Sequence, residues 1–357
     1  MNPIFVVMHF KTSYSAASVK EKIYYVLSIL LSKWINGKKL PSEKFKRILI
    51  IKIDEIGDMM TALPSFETLR KSHPEAEITL LCKGLVKNIV QTDPCLDKVV
   101  TQKKELSGKY DLIIDLRGSW PMFWFALFNP PKYRLERGSV RMKNKYTGGH
   151  KHEVEVNYQI MAPVLKNIPA LVSLRLFLSE EDKIFARLWC EKNALNNFVV
   201  FHAGARRITR QWSRERYEAL ANYLHQTGFQ IVFCGGPEDV ELNENIIQKL
   251  NFPTVNLAGK CSLIQFAAIA ARAKLFVGNE SGPMHLASAV GIPVIGLFGP
   301  GITETFRPYH SKGTFIHHKL PCNPCDQIHC VQPDDLCINR ISVEEVKEKI
   351  AEINDPE

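Results

Sequence analysis

Residues Phe276 to Pro300 read FVGNESGPMHLASAVGIPVIGLFGP. An apolar run opens the stretch, the polar turn NESGPMH interrupts it, a helix of small residues follows, and a second apolar run closes it. Short apolar runs bounded by turn signals suit strands buried on both faces of a parallel sheet. Parallel pairing requires a crossover, and the helix between the runs supplies one. Ala287, Ser288 and Ala289 let that helix lie close on the sheet, and Gly291 and Pro293 end it. The stretch therefore reads as one βαβ unit.

The same rhythm extends in both directions. RILIIKI (Arg47 to Ile53) predicts a strand, DEIGD a turn, and Met59 to about Ser72 a helix ended by HPEA. EITLLC, a helical VKNIVQ, the short strand KVV and the strand YDLIIDLRG (Tyr110 to Gly118) follow. Further on come FVVFHAGA at Phe198 and FQIVFCGGPED at Phe229, with RERYEALANYLHQ, DVELNENIIQKL and SLIQFAAIAARA as intervening helices. This alternation predicts an α/β class with doubly wound parallel sheets. A chain of 357 residues outgrows one hydrophobic core. The expected organisation is a leader over 1–46, a first Rossmann-like domain over 47–170 and a second over 171–357, the two facing a cleft. Pro121 to Lys151 breaks the rhythm with Trp124, several Phe and the basic set Lys132, Arg134, Arg137, Arg141, Lys143 and Lys145. It reads as an irregular segment, either disordered or substrate-binding. A helix from about His152 to Leu165 is expected to close the first half.

The net charge of +9 is unevenly placed: up to Arg47 there are nine Lys and Arg against two Glu. The nearly neutral remainder argues against a nucleic-acid protein with a broad basic face. No apolar run reaches the length needed to span a bilayer. In IYYVLSILLSKWI (Ile23 to Ile35), Ile23, Val26, Leu27, Leu30, Leu31 and Trp34 recur at helical spacing among Lys20, Lys22, Lys33, Lys38 and Lys39. Such a helix either lies on an anionic membrane or packs on the protein's own body. The opening MNPIFVVMHFK lacks the charged start of a signal peptide, and an odd total of nine cysteines argues for a reducing cytoplasm.

Four strand ends carry candidate chemistry. After KLFVGN come Glu280, Ser281 and Gly282, then the helix containing His285. The first amides of a helix lack partners and sit at its positive pole, a setting for phosphate, and Gly282 allows close approach. An ordinary βαβ turn with His285 in the core is the plainer alternative. HAGARRITRQWSRERY places Arg206, Arg207 and Arg210 in a loop before a helix that Ser213 is expected to cap. Guanidinium groups there suit a diphosphate. CGGPED brings Glu238 or Asp239 to the same rim, as a ribose-binding carboxylate or a surface turn. Asp58 follows Gly57 at a helix start, where helix amides are expected to keep it ionised. It serves there either as a helix-stabilising charge or as a general base.

ILIIKIDEIGDMMTALPSFETLRKSHPEAEITLL and FVGNESGPMHLASAVGIPVIGLFGP resemble the two signature segments of the lipopolysaccharide heptosyltransferases, glycosyltransferase family 9. YDLIIDLRG, FHAGARR, CGGPED and CNPCDQIHC fall in that family's order, over about Arg47 to Ile350. The resemblance implies a GT-B type fold and an inverting, metal-independent enzyme. It would transfer heptose from ADP-heptose to the lipopolysaccharide inner core. Asp58 then matches the acceptor-activating base, Lys52 a lysine beside it, and Arg117 an acceptor-binding residue at the end of YDLIIDLRG. Arg210 matches a donor-diphosphate contact, Glu238 or Asp239 the ribose carboxylate, and Ser281, Gly282 and His285 the phosphate turn. Glu280 stands where the family more usually has aspartate. The implied partners are a nucleotide-sugar donor, a lipid-linked anionic saccharide and the inner-membrane surface, with no nucleic acid and a cytoplasmic, peripheral location. No cofactor is required. Cys322, Cys325, Cys330 and Cys337 have a spacing compatible with structural zinc, with packed or cross-linked thiols as the alternative. Competing functions are the same fold using another nucleotide sugar in O-antigen or capsule assembly, a sugar-nucleotide epimerase, and a non-catalytic scaffold. A nicotinamide dehydrogenase is disfavoured because no G-x-G-x-x-G follows a strand.

Overall fold

The computed structural model describes residues 19–37, 44–146, 150–170, 172–323, 325 and 327–354. They fall in two compact units, one ending at Phe177 and the other starting at Leu178. The first contains α1 (Val19–Asn36), β1 (Arg47–Lys52), α2 (Ile56–Met60), α3 (Leu63–Ser72), β2 (Glu77–Cys82), α4 (Gly84–Val90) and β3 (Lys98–Val100). It continues with β4 (Leu112–Asp115), α5 (Trp120–Phe128), β5 (Tyr133–Glu136), α6 (Arg137–Tyr146) and α7 (Glu153–Met161). Its strands form a parallel sheet in the order β3-β2-β1-β4-β5. Ile48 to Ile51 in β1 have no exposed surface, as the unbroken apolar run predicts for a central strand.

Three expectations change here. The helix over Met59 to Ser72 is two helices, α2 and α3. Pro64 sits in the first turn of α3, where its missing N–H costs nothing, and it prevents a continuous helix. The segment from Pro121 is regular rather than irregular, with α5, β5 and α6 in succession, and β5 widens the sheet. Its charges hid the strand because they are satisfied internally. Arg134 is fully buried and donates to the Ser28 carbonyl, the Ser28 hydroxyl and the Ser32 hydroxyl at 2.7–3.0 Å. Glu136 accepts from the Gly138 and Ser139 amides and so starts α6.

The third concerns the apolar helix α1. It packs on this unit through Tyr24, Ser28, Leu31, Ser32 and Ile35, so Leu31 belongs to the inner face. Ile23, Val26, Leu27, Leu30 and Trp34 remain exposed on the other side. Residues 1–18 and 38–43 of the leader, with Lys38 and Lys39, lie outside the described residues, as do the side chains of Lys20, Lys22 and Lys145.

The second unit contains α8 (Glu180–Lys192), β6 (Phe198–His202), α9 (Arg214–Gln226), β7 (Gln230–Phe233), α10 (Val240–Ile247), β8 (Thr254–Asn256) and α11 (Leu263–Ala270). It is completed by β9 (Leu275–Asn279), α12 (Gly282–Ala289), β10 (Val294–Phe298), α13 (Thr303–Phe306), β11 (Gly313–His317) and α14 (Val343–Asn354). The parallel order is β11-β10-β9-β6-β7-β8, and Phe276 to Pro300 forms the β9-α12-β10 unit that the sequence predicts. Trp212, almost fully buried, donates its indole N–H to the Ile341 carbonyl at 2.9 Å. That bond anchors the segment leading to α14, which buries Val346 and Ile350 in the same core. Fully burying side chains of this size stabilises by about 1.5–3 kcal/mol each. Among the described residues no helix is long and apolar enough to cross a membrane.

Candidate functional site

Both sheets reverse strand order once, and ligands of doubly wound sheets bind at the carboxyl ends of the strands beside that reversal. In the second unit it falls between β6 and β9. The loops leaving those two strands carry the Arg-rich segment and the turn with Glu280, which is why residues far apart in sequence meet.

Asn279, at the end of β9, holds the two loops together. Its side-chain carbonyl accepts from the Trp212 amide (3.1 Å) and the Tyr217 hydroxyl (3.2 Å), and its amide group donates to the Ala203 carbonyl at 2.8 Å. Ser281 sits at the N-cap of α12, its hydroxyl donating to the Asn279 carbonyl at 2.9 Å and lying 3.0 Å from His202 Nδ1. Its side chain does not cap the helix. Ser281 and Gly282 are only partly buried, whereas His285 is buried within α12 with its ring 6.5 Å from that of Phe306. The N-terminal turn of α12, with its unpaired amide directions, is thus the accessible part of the motif.

Asp239 and Glu238 separate here. Asp239 is buried, 3.5 Å from His202 Nε2, and accepts from the Gly236 amide at 2.9 Å. Burial works against its ionisation, yet the His202 contact and the Gly236 amide outweigh it and hold the carboxyl below its ordinary range. A Cβ on Gly204 would lie 2.0 Å from Asp239 Oδ1, so only glycine fits there. Glu238 is exposed. Asp239 braces the strand ends, and Glu238 is the carboxylate open to a ligand.

Glu280 is buried, and Arg210 Nη1 lies 3.5 Å from its Oε1. Burial raises its carboxyl to about 7, against the pull of Arg210 and Arg207. A Cβ on Gly301 would fall 1.8 Å from Glu280 Oε2. The absent side chain at Gly301 is the room that the longer carboxylate occupies.

Arg210 has a second partner that sequence reasoning missed. Gln327, buried and in the left-handed region at φ 65, accepts from Arg210 Nε at 2.7 Å, from its Nη2, and from Arg207 Nη1 at 3.4 Å. Thr209 donates to the Gln327 carbonyl at 2.8 Å, and the Gln327 amide donates to Cys325 Sγ at 3.3 Å. The cysteine-rich segment therefore seats the guanidinium. All four of its cysteines are free thiols and line one small cavity with Thr209 and Pro300. Among the described residues no group of three or more His, Cys, Asp or Glu is arranged to hold a metal ion. Ser213 occupies the N-cap of α9 without the expected side-chain cap bond; its amide donates to Asn339 Oδ1 instead.

In the first unit the reversal lies between β1 and β4. Lys52, the last residue of β1, is fully buried with Nζ 3.0 Å from Asp54 Oδ2, and Arg117, beyond β4, places Nε 3.0 Å from Asp54 Oδ1. Asp54 thus joins the two predicted residues, and its place in DEIGD was the available signal. Arg137 Nη2 donates to both carboxylate oxygens of the buried Glu153, at 2.6 and 2.7 Å. Burial disfavours the Glu153 charge, but Arg137 and then Lys52 draw its carboxyl down to about 2. Asp58 shares this cluster, and its carboxyl is not drawn below its ordinary range as a helix-amide site would draw it. Burial raises its carboxyl above the ordinary range; Lys52 opposes the shift, Asp54 and Glu153 add to it, and Arg137 opposes it. The five-residue α2 gives it little dipole support. Arg134 and Arg137, expected within a disordered or substrate-binding segment, are internal.

Residues 99–334 match the family model described as Glycosyltransferase family 9 (heptosyltransferase). The chain is similar to lipopolysaccharide heptosyltransferase 3 of Escherichia coli, 26% identical over 291 residues, with 72% of this chain and 84% of that one covered. Among solved structures, a glycosyl transferase family 9 protein of Veillonella parvula gives a TM-score of 0.73 at 20% identity, covering 87% of this chain and 97% of that one. The E. coli ADP-heptose lps heptosyltransferase II gives 0.69 at 22% identity, covering 86% and 98%.

Proposed function

The chain belongs to glycosyltransferase family 9, the heptosyltransferase family, and from that premise we propose that it transfers heptose from ADP-heptose to the inner core of lipopolysaccharide, with inversion and without a metal ion. Its two doubly wound units are those of the GT-B type. The observation that carries the reading is the seated Arg210, held by Gln327 and Glu280 beside the open first turn of α12.

In this mechanism the donor diphosphate lies on Ser281, Gly282 and the α12 amides, with Arg210 on its oxygens and Glu238 on the ribose. Asp58 takes the proton of the acceptor hydroxyl. The hydroxyl oxygen forms a bond to the anomeric carbon as the bond from that carbon to the diphosphate oxygen breaks on the opposite face, and ADP departs with the electron pair. A positioned base contributes roughly 10² to 10⁴-fold, and preorganised positive charge on the leaving group a comparable or larger share. Arg117, exposed and fixed by Asp54, suits an anionic acceptor, and the buried Lys52 holds Asp54 from the other side. Of the strand-end carboxylates, Asp54 is committed to Lys52 and Arg117 and Asp239 to His202 and Gly236, Glu280 is buried against Arg210, and Glu238 stays open at the rim. The neutralising charge is accordingly assigned to Arg210, and chelators are expected to leave the rate unchanged. Because the acceptor is lipid-borne, the enzyme works as a peripheral protein on the cytoplasmic face of the inner membrane.

Thermal shift with ADP, UDP, GDP and CMP tests the donor assignment. A ligand at a hundred times its Kd stabilises by about 2.7 kcal/mol, so ADP alone is expected to raise the melting temperature. A selective response to UDP or GDP would refute ADP-heptose as donor.

A further inference from the structure

The helix α1 is apolar on two opposite faces. Its inner face packs on the sheet, which explains Tyr24, Leu31 and Ile35. That leaves Ile23, Val26, Leu27, Leu30 and Trp34 between 38% and 65% exposed, along one stripe at helical spacing. A solvated helix face carries charge, so a second apolar stripe needs a second partner.

The neighbouring α5 repeats the feature. WPMFWFALF is apolar all round; Met122, Phe123, Phe125 and Ala126 face inward, while Trp120, Trp124 and Phe128 are 37%, 47% and 76% exposed. These three rings stack in series, with centroids 6.5 and 6.1 Å apart. Trp120 also meets Tyr24 on the inner face of α1 edge-on at 5.3 Å, which ties the two helices together. On the other side of α1 lies α6, whose Arg141 donates to the Tyr25 hydroxyl at 3.2 Å. Lys33, Arg141 and Lys143 are exposed, and α1, α5 and α6 contain no acidic residue other than Glu21.

We propose that α1 and α5 together form a membrane-docking platform. Its two apolar stripes sink into the headgroup and upper acyl region of an anionic bilayer, and Lys33, Arg141 and Lys143 engage acidic headgroups. Tryptophans at the boundary, aliphatic side chains between them and flanking cations with almost no acid are the composition an interfacial helix pair requires. The scarcity of acidic side chains favours an anionic lipid surface over a second copy of the chain, which would bring equal cationic rims together. The proposal rests on the transferase reading only for its purpose, delivery of the unit with Asp58 to a lipid-borne acceptor.

The test uses the full chain with vesicles of phosphatidylcholine, with or without phosphatidylglycerol and free of any saccharide. Expected are co-sedimentation at least about tenfold stronger with the anionic vesicles, and quenching of tryptophan emission by lipids brominated high on the acyl chain. Leu30→Glu combined with Trp124→Glu should reduce vesicle binding about tenfold or more. Lys33→Glu combined with Lys143→Glu should abolish the preference for anionic lipid while leaving residual binding to neutral vesicles. No binding by the wild-type chain, undiminished binding by L30E/W124E, or no quenching would overturn the proposal. So would a wild-type dimer that L30E/W124E converts to monomer. Unchanged melting temperatures verify that the exposed substitutions leave the fold intact, and the quenching measurement needs no variant. A failed ADP selectivity test would leave the vesicle result standing, so the two readings fail separately.

Discussion

Replacing Glu280 by glutamine should change how the stability of the protein depends on pH. The folded chain keeps the Glu280 proton up to about pH 7, whereas an unfolded glutamate loses it near 4.5. Between those values the folded state binds more protons than the unfolded one, so this group makes stability fall as pH rises through the window. A shift of that size corresponds to about 3 kcal/mol across the window. The glutamine amide mimics the protonated carboxyl and cannot titrate. Urea unfolding of wild type and E280Q from pH 4.5 to 8 should therefore give a difference that grows with pH in the variant's favour and levels off above 7. Other titrating groups are common to both chains and cancel. A difference that stays flat, or runs the other way, would refute the assignment of a buried and largely unrelieved carboxyl beside Arg210. The same reasoning extends to the donor: a diphosphate drawing on Arg210 weakens the leading cation that favours ionised Glu280. Calorimetry in buffers of different ionisation heat should then register proton uptake on ADP binding near pH 7 in wild type and none in E280Q.

Asp58→Asn should lower kcat by roughly 10² to 10⁴-fold with ADP affinity unchanged. Because the Asp58 carboxyl is raised and must be ionised to accept a proton, the acid limb of the wild-type pH–rate profile should lie above the ordinary carboxylate range. Gln327→Ala removes the acceptor of a charged hydrogen bond, an effect of about 1.5–3 kcal/mol. It should appear as a rise in donor KM, with rescue by Gln327→Glu and with the fold retained by circular dichroism. Gly301→Ala should cripple folding or donor binding, since its Cβ would overlap Glu280 Oε2, and Glu280→Asp in the same chain should restore much of the loss.

The strands were legible because burial on both sheet faces forces runs such as Ile48 to Ile51, which leave little other interpretation. The turns after β1, β6 and β9 were legible because doubly wound sheets put chemistry at strand ends. That reasoning picked out the candidates Asp58, Arg210 and Ser281, but it could not say which of Glu238 and Asp239 is exposed. The burial of Asp239 depends on His202, a neighbour only once β6 and β7 pair. Gln327 left no signal: its contact depends on a left-handed residue in an irregular segment, 117 positions from Arg210. Arg134 and Arg137 misled for the opposite reason. A charge in sequence reads as surface unless its partners are known, and theirs are two serines of α1 and a glutamate sixteen residues on.

Arg134 also bears on where this protein begins as a folding entity. The family match starts at residue 99, and α1 lies well before it. Yet Ser28 and Ser32 of α1 supply three of the hydrogen bonds that let Arg134 sit with no exposed surface, and Tyr24 donates to its neighbour Asp115 at 3.2 Å. Stripping partners from a buried charge typically costs about 3–5 kcal/mol, a large part of what holds a domain together. A chain trimmed of α1 would leave Arg134 buried without these partners, so α1 belongs to the folding unit of the first sheet rather than to a tail appended to it.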